Sequence, residues 1–157
     1  MIEIKAPGAI PKEKNTKIFL AGSIETGLAT NWQAVVVEKL KGESAVILNP
    51  RRDDWNNEWE QTKDNAQFRE QVEWEFNALS QSDFIILYFD PKTKSPISLL
   101  EMGEFASSGK LLVVCPEGFW RKGNVDIACE QFGIPQFATL DELLVHLRAL
   151  LDKSVSE

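Results

Sequence analysis

Five apolar runs of strand length, spaced by stretches with helical periodicity, constrain this chain more than any other feature. They are Lys17–Ala21, Ser44–Leu48, Phe84–Phe89, Leu111–Cys115 and Gln136–Thr139. A near-continuous run of Val, Ile, Leu and Phe suits a strand buried on both faces, as in parallel sheets covered by helices. Between the runs, Trp32, Val35, Val36 and Leu40 recur at helical spacing, and so do Phe68, Val72, Phe76 and Leu79. Helices are expected from about Thr30 to Gly42, over Ala66–Ser80 and Ser98–Ser108, within Glu117–Gly133, and over Asp141–Asp152.

Strands alternating with helices predict an α/β fold. At this size the expectation is a flavodoxin-like, three-layer α/β/α arrangement with a mostly parallel five-stranded sheet. Residues 1–15 read as an N-terminal arm, because Pro7, Gly8 and Pro11 interrupt regular structure. Residues 16–152 read as a single domain, which fits a chain of 157 residues. Residues 153–157 read as a tail.

The net charge of −7 argues against a nucleic-acid partner, which favours a basic face. No apolar run approaches a membrane span, so no membrane partner is expected. The N-terminal stretch lacks the continuous apolar core of a signal peptide. Cys115 and Cys129 form neither a CxxC nor a zinc spacing, and two isolated cysteines do not suggest a secreted disulfide scaffold. A cytoplasmic location is therefore expected.

Several reaction classes lose their signatures. The chain has no GxxxxGK[ST], no GxGxxG after the first strand and no GxSxG elbow. Its one histidine, His146, falls in the last helix. The sequence gives no reason to propose a metal or a cofactor, so carboxylates are the expected catalysts.

Glu101 follows a strand and a Pro-punctuated loop, where an open α/β sheet binds ligands. Two readings of it are open. Ser98-Leu99-Leu100-Glu101 has the spacing of a capping box, with Ile97 and Met102 as a staple. In the other reading a helix N-terminus keeps the carboxylate ionised, ready to attack an electrophilic carbon. Glu75 falls inside the apolar stripe of its helix, between Val72 and Leu79, whereas Glu70 and Glu73 fall away from it. A partly buried Glu has a raised pKa, which suits a general acid. Alternatively, Glu75 sits at the stripe's edge and reaches water. One ionised and one protonatable carboxylate at a single cleft is the arrangement that breaks glycosidic bonds with retention.

The segments KIFLAGSI, VILNPRRDDW, FREQVEWEFNALSQSDFIILYF and SPISLLEMGEFASSGK, in that order, resemble the nucleoside 2-deoxyribosyltransferases and their relatives. The resemblance spans Lys17 to about Asp126. It implies a flavodoxin-like homo-oligomer that exchanges the base of a 2-deoxyribonucleoside, with a nucleoside or nucleotide and a free nucleobase as small-molecule partners. It implies Glu101, in Glu101-Met102-Gly103, as nucleophile and Glu75 as acid/base. It offers Asn124 as a residue lent to the sugar site of a neighbouring subunit, against the plain reading of Gly123-Asn124 as a turn. Phe19 stands where some members carry a Tyr. Ser95 stands where some carry a sugar-binding Asp, with Asp90 in the same loop. Asp83 matches a recurring acidic position, or simply shapes a turn.

Gly22 and Ser23 end the first strand, where amides can face a ligand or a tight turn is made. Asn49, Arg52, Asp53 and Trp55 follow the second strand, where base-binding residues of such proteins lie; Trp55 or Trp59 would stack on a base, or pack the Arg51–Asp64 loop onto the domain. That loop is a candidate substrate cover. Three functions compete: deoxyribose transfer, hydrolysis of a deoxyribonucleoside 5′-monophosphate, and a non-catalytic nucleotide-binding module. Glu25 opposes the second because a carboxylate repels phosphate, while Arg51 and Arg52 favour it.

Overall fold

The computed structural model describes residues 1–25 and 28–155, with side chains through residue 153. The elements run β1 (Ile2–Lys5), β2 (Lys17–Gly22), α1 (Trp32–Lys39), β3 (Val46–Asn49), α2 (Ala66–Gln81), β4 (Phe84–Tyr88), α3 (Pro96–Phe105), β5 (Leu111–Val114), α4 (Lys122–Phe132), β6 (Gln136–Phe137) and α5 (Leu140–Val155). The six strands form one sheet in the order β1-β3-β2-β4-β5-β6, and every pairing is parallel. Leaving β1 aside, this is the flavodoxin-like order, with the chain reversing direction across the sheet at β2.

The sheet has one strand more than the five expected. Ile2–Lys5, read as part of an arm, pairs with β3 over Ile2–Val46 to Lys5–Asn49. Pro7, Gly8 and Pro11 stop the strand without preventing it, and the segment alternates rather than reading as a buried run. Trp74 of α2 secures the chain just past β1, donating its indole N–H to the Gly8 carbonyl at 2.7 Å.

Period-two alternation along the central strands divides the core. Phe19, Leu48, Ile85, Leu87 and Val113 face α2, α3 and α4, together with Trp74, Leu79, Met102 and Val125. Ile18, Leu20, Ile47, Ile86 and Leu112 face α1 and α5, together with Trp32, Val36, Leu143 and Leu147. A slip of one residue in any central strand would exchange these faces. Among the described residues no helix is long and apolar enough to cross a membrane.

Helix ends depart from expectation in three places. α1 stops at Lys39, before Gly42, with Leu40 as its cap. α3 begins two residues earlier than expected: Pro96 takes the first turn, where its missing N–H costs nothing. Ser98 and Glu101 therefore lie inside the helix and form no capping box, and Ile97 is exposed while Met102 is buried, so the staple is absent too. α5 includes Lys153 and runs to Val155, so the expected tail is helical there; residues 156 and 157 lie outside the described residues.

Candidate active site

The carboxyl ends of β2 and β3, the β3–α2 loop, α2 and the start of α3 enclose a cavity of about 470 Å³. That is within the usual range for small-molecule sites, roughly 300–1,000 Å³. Glu75 from α2 and Glu101 from α3 both line it. They lie on helices that precede and follow β4, so a single strand holds them in one cleft.

Glu101 is 8% exposed. Burial, then the charges of Glu75 and Glu104, push its carboxyl up to about 8. The expectation that a helix N-terminus would hold it ionised does not survive this geometry: Glu101 is the sixth helical residue, beyond the turn where the helix charge acts. Burial likewise pushes Glu75 up to about 7, opposed by a hydrogen bond from Gln71. The Gln71 amide donates to Glu75 Oε1 at 2.8 Å and to the Pro50 carbonyl at 2.8 Å. Its own Oε1 is buried without a hydrogen-bond partner among the described residues. The two carboxyls lie in one cavity and influence each other's titration, so they take up and release protons as a pair rather than separately.

Of the apolar stripe read from α2, only Leu79 packs in the core; the other three residues face the cavity. Phe68, Val72 and Phe76 line the cavity, and Phe76 is 47% exposed, while Gln71, Trp74, Ala78 and Leu79 are the helix's buried residues. Glu75 sits between the two sets, which is why it is held from bulk water yet faces the cleft.

The loop before α3 is braced from β2. Ser23, Thr93 and Ser95 bring their hydroxyls together, with oxygens 2.6 to 2.9 Å apart. Ser95 adopts φ +46, a conformation non-glycine residues seldom take. Glu25 Oε1 accepts the amides of Lys94 and Ser95 at 2.9 and 2.8 Å, holding that turn. Asp90 is spent on the loop as well, accepting the Thr30 and Lys92 amides.

Gly22, Arg52, Trp55 and Ser95 join the two glutamates in the lining, as do Glu25 and Arg51, which the sequence marks only for their charge; Phe19, Ser23, Asn49, Asp53, Asp83 and Asn124 do not. Phe19 is fully buried against Trp74. Ser23 is buried behind Ser95. Asn49 bridges β1 and β3, donating to Glu3 and accepting the Arg51 amide. Asp53 is an exposed partner of Lys5. Asp83 accepts the Lys17 amide at 2.8 Å, at the opposite end of the sheet, so its role there is structural. Asn124 is helical rather than in a turn, and lines a smaller groove between α3 and α4 with Leu99, Met102 and Phe132. His146 is exposed on α5.

The β3–α2 loop carries the cations. Arg52 is clamped by Asp54 and Glu70, each at 2.9 Å, and its side chain is 6% exposed. It lies 5.3 Å from the Trp59 ring, and Trp59 packs edge-on to Trp55 with centroids 5.1 Å apart. Arg51, Gln71 and Glu104 also line the cavity and were not singled out as site residues from sequence. Glu104 lies one turn beyond Glu101 on the same helix face, a spacing that was there to be read. Gln71 stands four residues before Glu75, and nothing local marks a Gln as buried. Among the described residues no cluster of three or more His, Cys, Asp or Glu is placed to hold a metal ion.

No curated protein matches the chain significantly. The family model described as nucleoside 2-deoxyribosyltransferase like matches residues 15–119, a span that runs from the residues before β2 to the loop before α4 and takes in the whole lining of the cavity. With a match over most of its length, the chain belongs to the nucleoside 2-deoxyribosyltransferase like family.

Proposed function

We propose that the chain cleaves the N-glycosidic bond of a 2′-deoxyribonucleoside and passes the sugar to another base. The observation that carries this reading is the placement of two buried carboxyls, Glu75 and Glu101, in the lining of one cavity, where burial raises both. A retaining glycosyl transfer needs one carboxylate and one carboxylic acid at the same time. Glu101 is the nucleophile and Glu75 the acid/base. As C1′ gains positive character beside Glu101, the ionised form is favoured there and the proton resides on Glu75. The sugar is held as a glutamyl ester, and an incoming base attacks it from the side the first base left.

Hydrolysis of a deoxyribonucleoside 5′-monophosphate is the second reading, and Arg51 on the cavity wall is the observation that favours it. Against it, Glu25 and Glu104 line the same cavity, and Arg52 is already neutralised by two carboxylates. We further propose a homo-oligomer. Phe76, Ile97 and Leu100 line the cavity mouth yet are 47 to 57% exposed, an apolar rim that a neighbouring subunit would cover, with Asn124 as the residue lent across.

Chromatography of the protein with deoxynucleosides tests the reading. A new nucleoside that forms only when a second free base is added is the expected result. Free base released from monophosphates alone would favour hydrolysis. Ligand-induced stabilisation without turnover would favour a binding module. A strict monomer on sizing would remove the role of Asn124.

A further inference from the structure

The cavity has a polarity that the carboxylate pair does not explain. Arg51, at the carboxyl end of β3, lines it, and among the described residues no carboxylate lies within salt-bridge range of its guanidinium. Its neighbour Arg52 has two. Arg51 is aimed from behind instead: its Nη1 donates to Gln33 Oε1 at 3.2 Å, and Gln33 is fully buried and donates in turn to the Ser23 carbonyl at 3.3 Å. Its backbone amide is fixed by Asn49 Oδ1 at 3.0 Å. One N–H of a five-donor fork is thus spent on a neutral carbonyl. Trp55, four residues on, lines the same wall, its ring set by Trp59.

Resting on the glycosyl-transfer reading, we propose that Arg51, with Trp55 in the same cavity lining, selects the leaving base and favours one that carries a carbonyl, such as a 6-oxopurine, over an aminopurine. The carboxylates stand on α2 and α3, and Arg51 and Trp55 on the β3 side. A glycosidic bond held at the carboxylates leaves the base to extend toward the loop. As a Glu101 oxygen bonds to C1′, the C1′–N bond breaks and its electron pair passes into the base. In an oxo-base that charge spreads onto the exocyclic oxygen, where the guanidinium donates a charge-assisted hydrogen bond; Glu75 delivers the proton. Arginine pairs well with the carbonyl edge of an oxopurine for the same reason in other settings.

A phosphate would also suit an unmatched guanidinium, and the cavity disfavours it. Glu25, Glu75, Glu101 and Glu104 all line the space, and a dianion would add to a field already negative. A neutral oxo-base supplies an acceptor without charge.

The test compares deoxyinosine with deoxyadenosine, which share a sugar and differ at the 6-position, in wild type, Arg51→Gln and Arg51→Lys. Calorimetric titration with hypoxanthine and adenine runs alongside. Wild type is expected to prefer deoxyinosine by about tenfold or more in kcat/KM. Arg51→Gln is expected to bring the ratio to within about twofold of unity. Arg51→Lys, which keeps the charge and loses the fork, is expected to fall between, and it carries the test if the Gln variant does not fold. An unchanged ratio in both variants overturns the proposal. So does a preference for deoxyinosine monophosphate over deoxyinosine that Arg51→Gln removes, since Arg51 would then read phosphate. If wild type consumes no nucleoside, the glycosidic reading fails and the titration still decides. Tighter hypoxanthine than adenine in wild type, lost in Arg51→Gln, sustains the proposal, and equal or absent binding of both bases overturns it.

Discussion

Gln71 reaches Glu75 from one turn earlier on α2, its amide N–H 2.8 Å from the carboxylate oxygen, while the same nitrogen is tied at 2.8 Å to the Pro50 carbonyl. The tie to Pro50 fixes which end of the amide faces Glu75. A donor is presented, and a donor favours the ionised carboxylate. Gln71→Leu should therefore raise Glu75 further above its present value of about 7. The acidic limb of the kcat/KM profile is expected to move up by roughly one pH unit, since a hydrogen bond to a charged group contributes about 1.5–3 kcal/mol and one unit is about 1.4. A profile that loses height without shifting would make Gln71 a packing residue only.

The wild-type profile should be bell-shaped, with its maximum between the two values of about 7 and about 8. Only the singly protonated pair has both a nucleophile and an acid, and the limbs belong to the pair rather than to either residue. Rates measured from pH 5 to 10 check this, and a flat profile across that range would remove the pair from the chemistry.

Glu101→Ala is expected to lower kcat by about a thousandfold or more, because it removes the proposed nucleophile. Glu75→Gln should cost less with a base that leaves readily than with a poor leaving group, since protonation matters less there. Full turnover by Glu101→Ala would dismiss it as nucleophile.

The same two carboxyls should make the fold less stable as the pH rises. Both have folded values above the ordinary glutamate value of 4.5. The folded chain therefore binds more protons than the unfolded chain between about 4.5 and 8, and unfolding free energy falls across that window. Stability is intact below about pH 4.5 and is lost as pH rises through about 7 and 8. The melting temperature should drop from pH 5 to pH 8.5, and Glu75→Gln with Glu101→Gln should flatten that drop. At about 1.4 kcal/mol per pH unit, the two shifts set an upper bound of roughly 8 kcal/mol on the effect. Equal slopes in wild type and double variant would show that the carboxyls are better solvated than the cavity implies.

Gly22 ends β2 with φ +138, and a Cβ there would stand 2.3 Å from the Tyr88 carbonyl oxygen and 2.9 Å from the Trp32 ring. Gly22→Ala should destabilise by about 3 kcal/mol or more, through backbone strain and collision together. Gly42→Ala meets nothing within 4 Å and serves as the comparison. Denaturant midpoints of the two variants measure the contrast.

The central sheet was legible because β2, β3, β4 and β5 are buried on both faces and read as continuous apolar runs. β1 was not, since Ile2-Glu3-Ile4-Lys5 is short, polar at alternate positions and followed by Pro7 and Gly8. Glu101 and Glu75 were legible as positions, from a strand–loop–helix junction and a helical stripe. Their protonation was not, because it depends on burial and on Glu104 and Gln71. Arg51 drew notice only as a charge, and its difference from Arg52 lies in Asp54, Glu70 and Gln33, three partners that only the folded chain brings near. The capping-box reading of Ser98 failed because Pro96 and the left-handed Ser95 start the helix a half-turn earlier.

Both glutamates fall within the forty residues from Ala66 to Phe105, an unbroken α2–β4–α3 unit. Arg51, Trp55 and Gly22 come from outside it. The proposed chemistry and the proposed selectivity are therefore inherited on separate stretches of the gene. The β3–α2 loop can be rewritten by substitution or insertion, and a descendant chain can turn to a different base, while the unit that breaks the bond passes on unaltered.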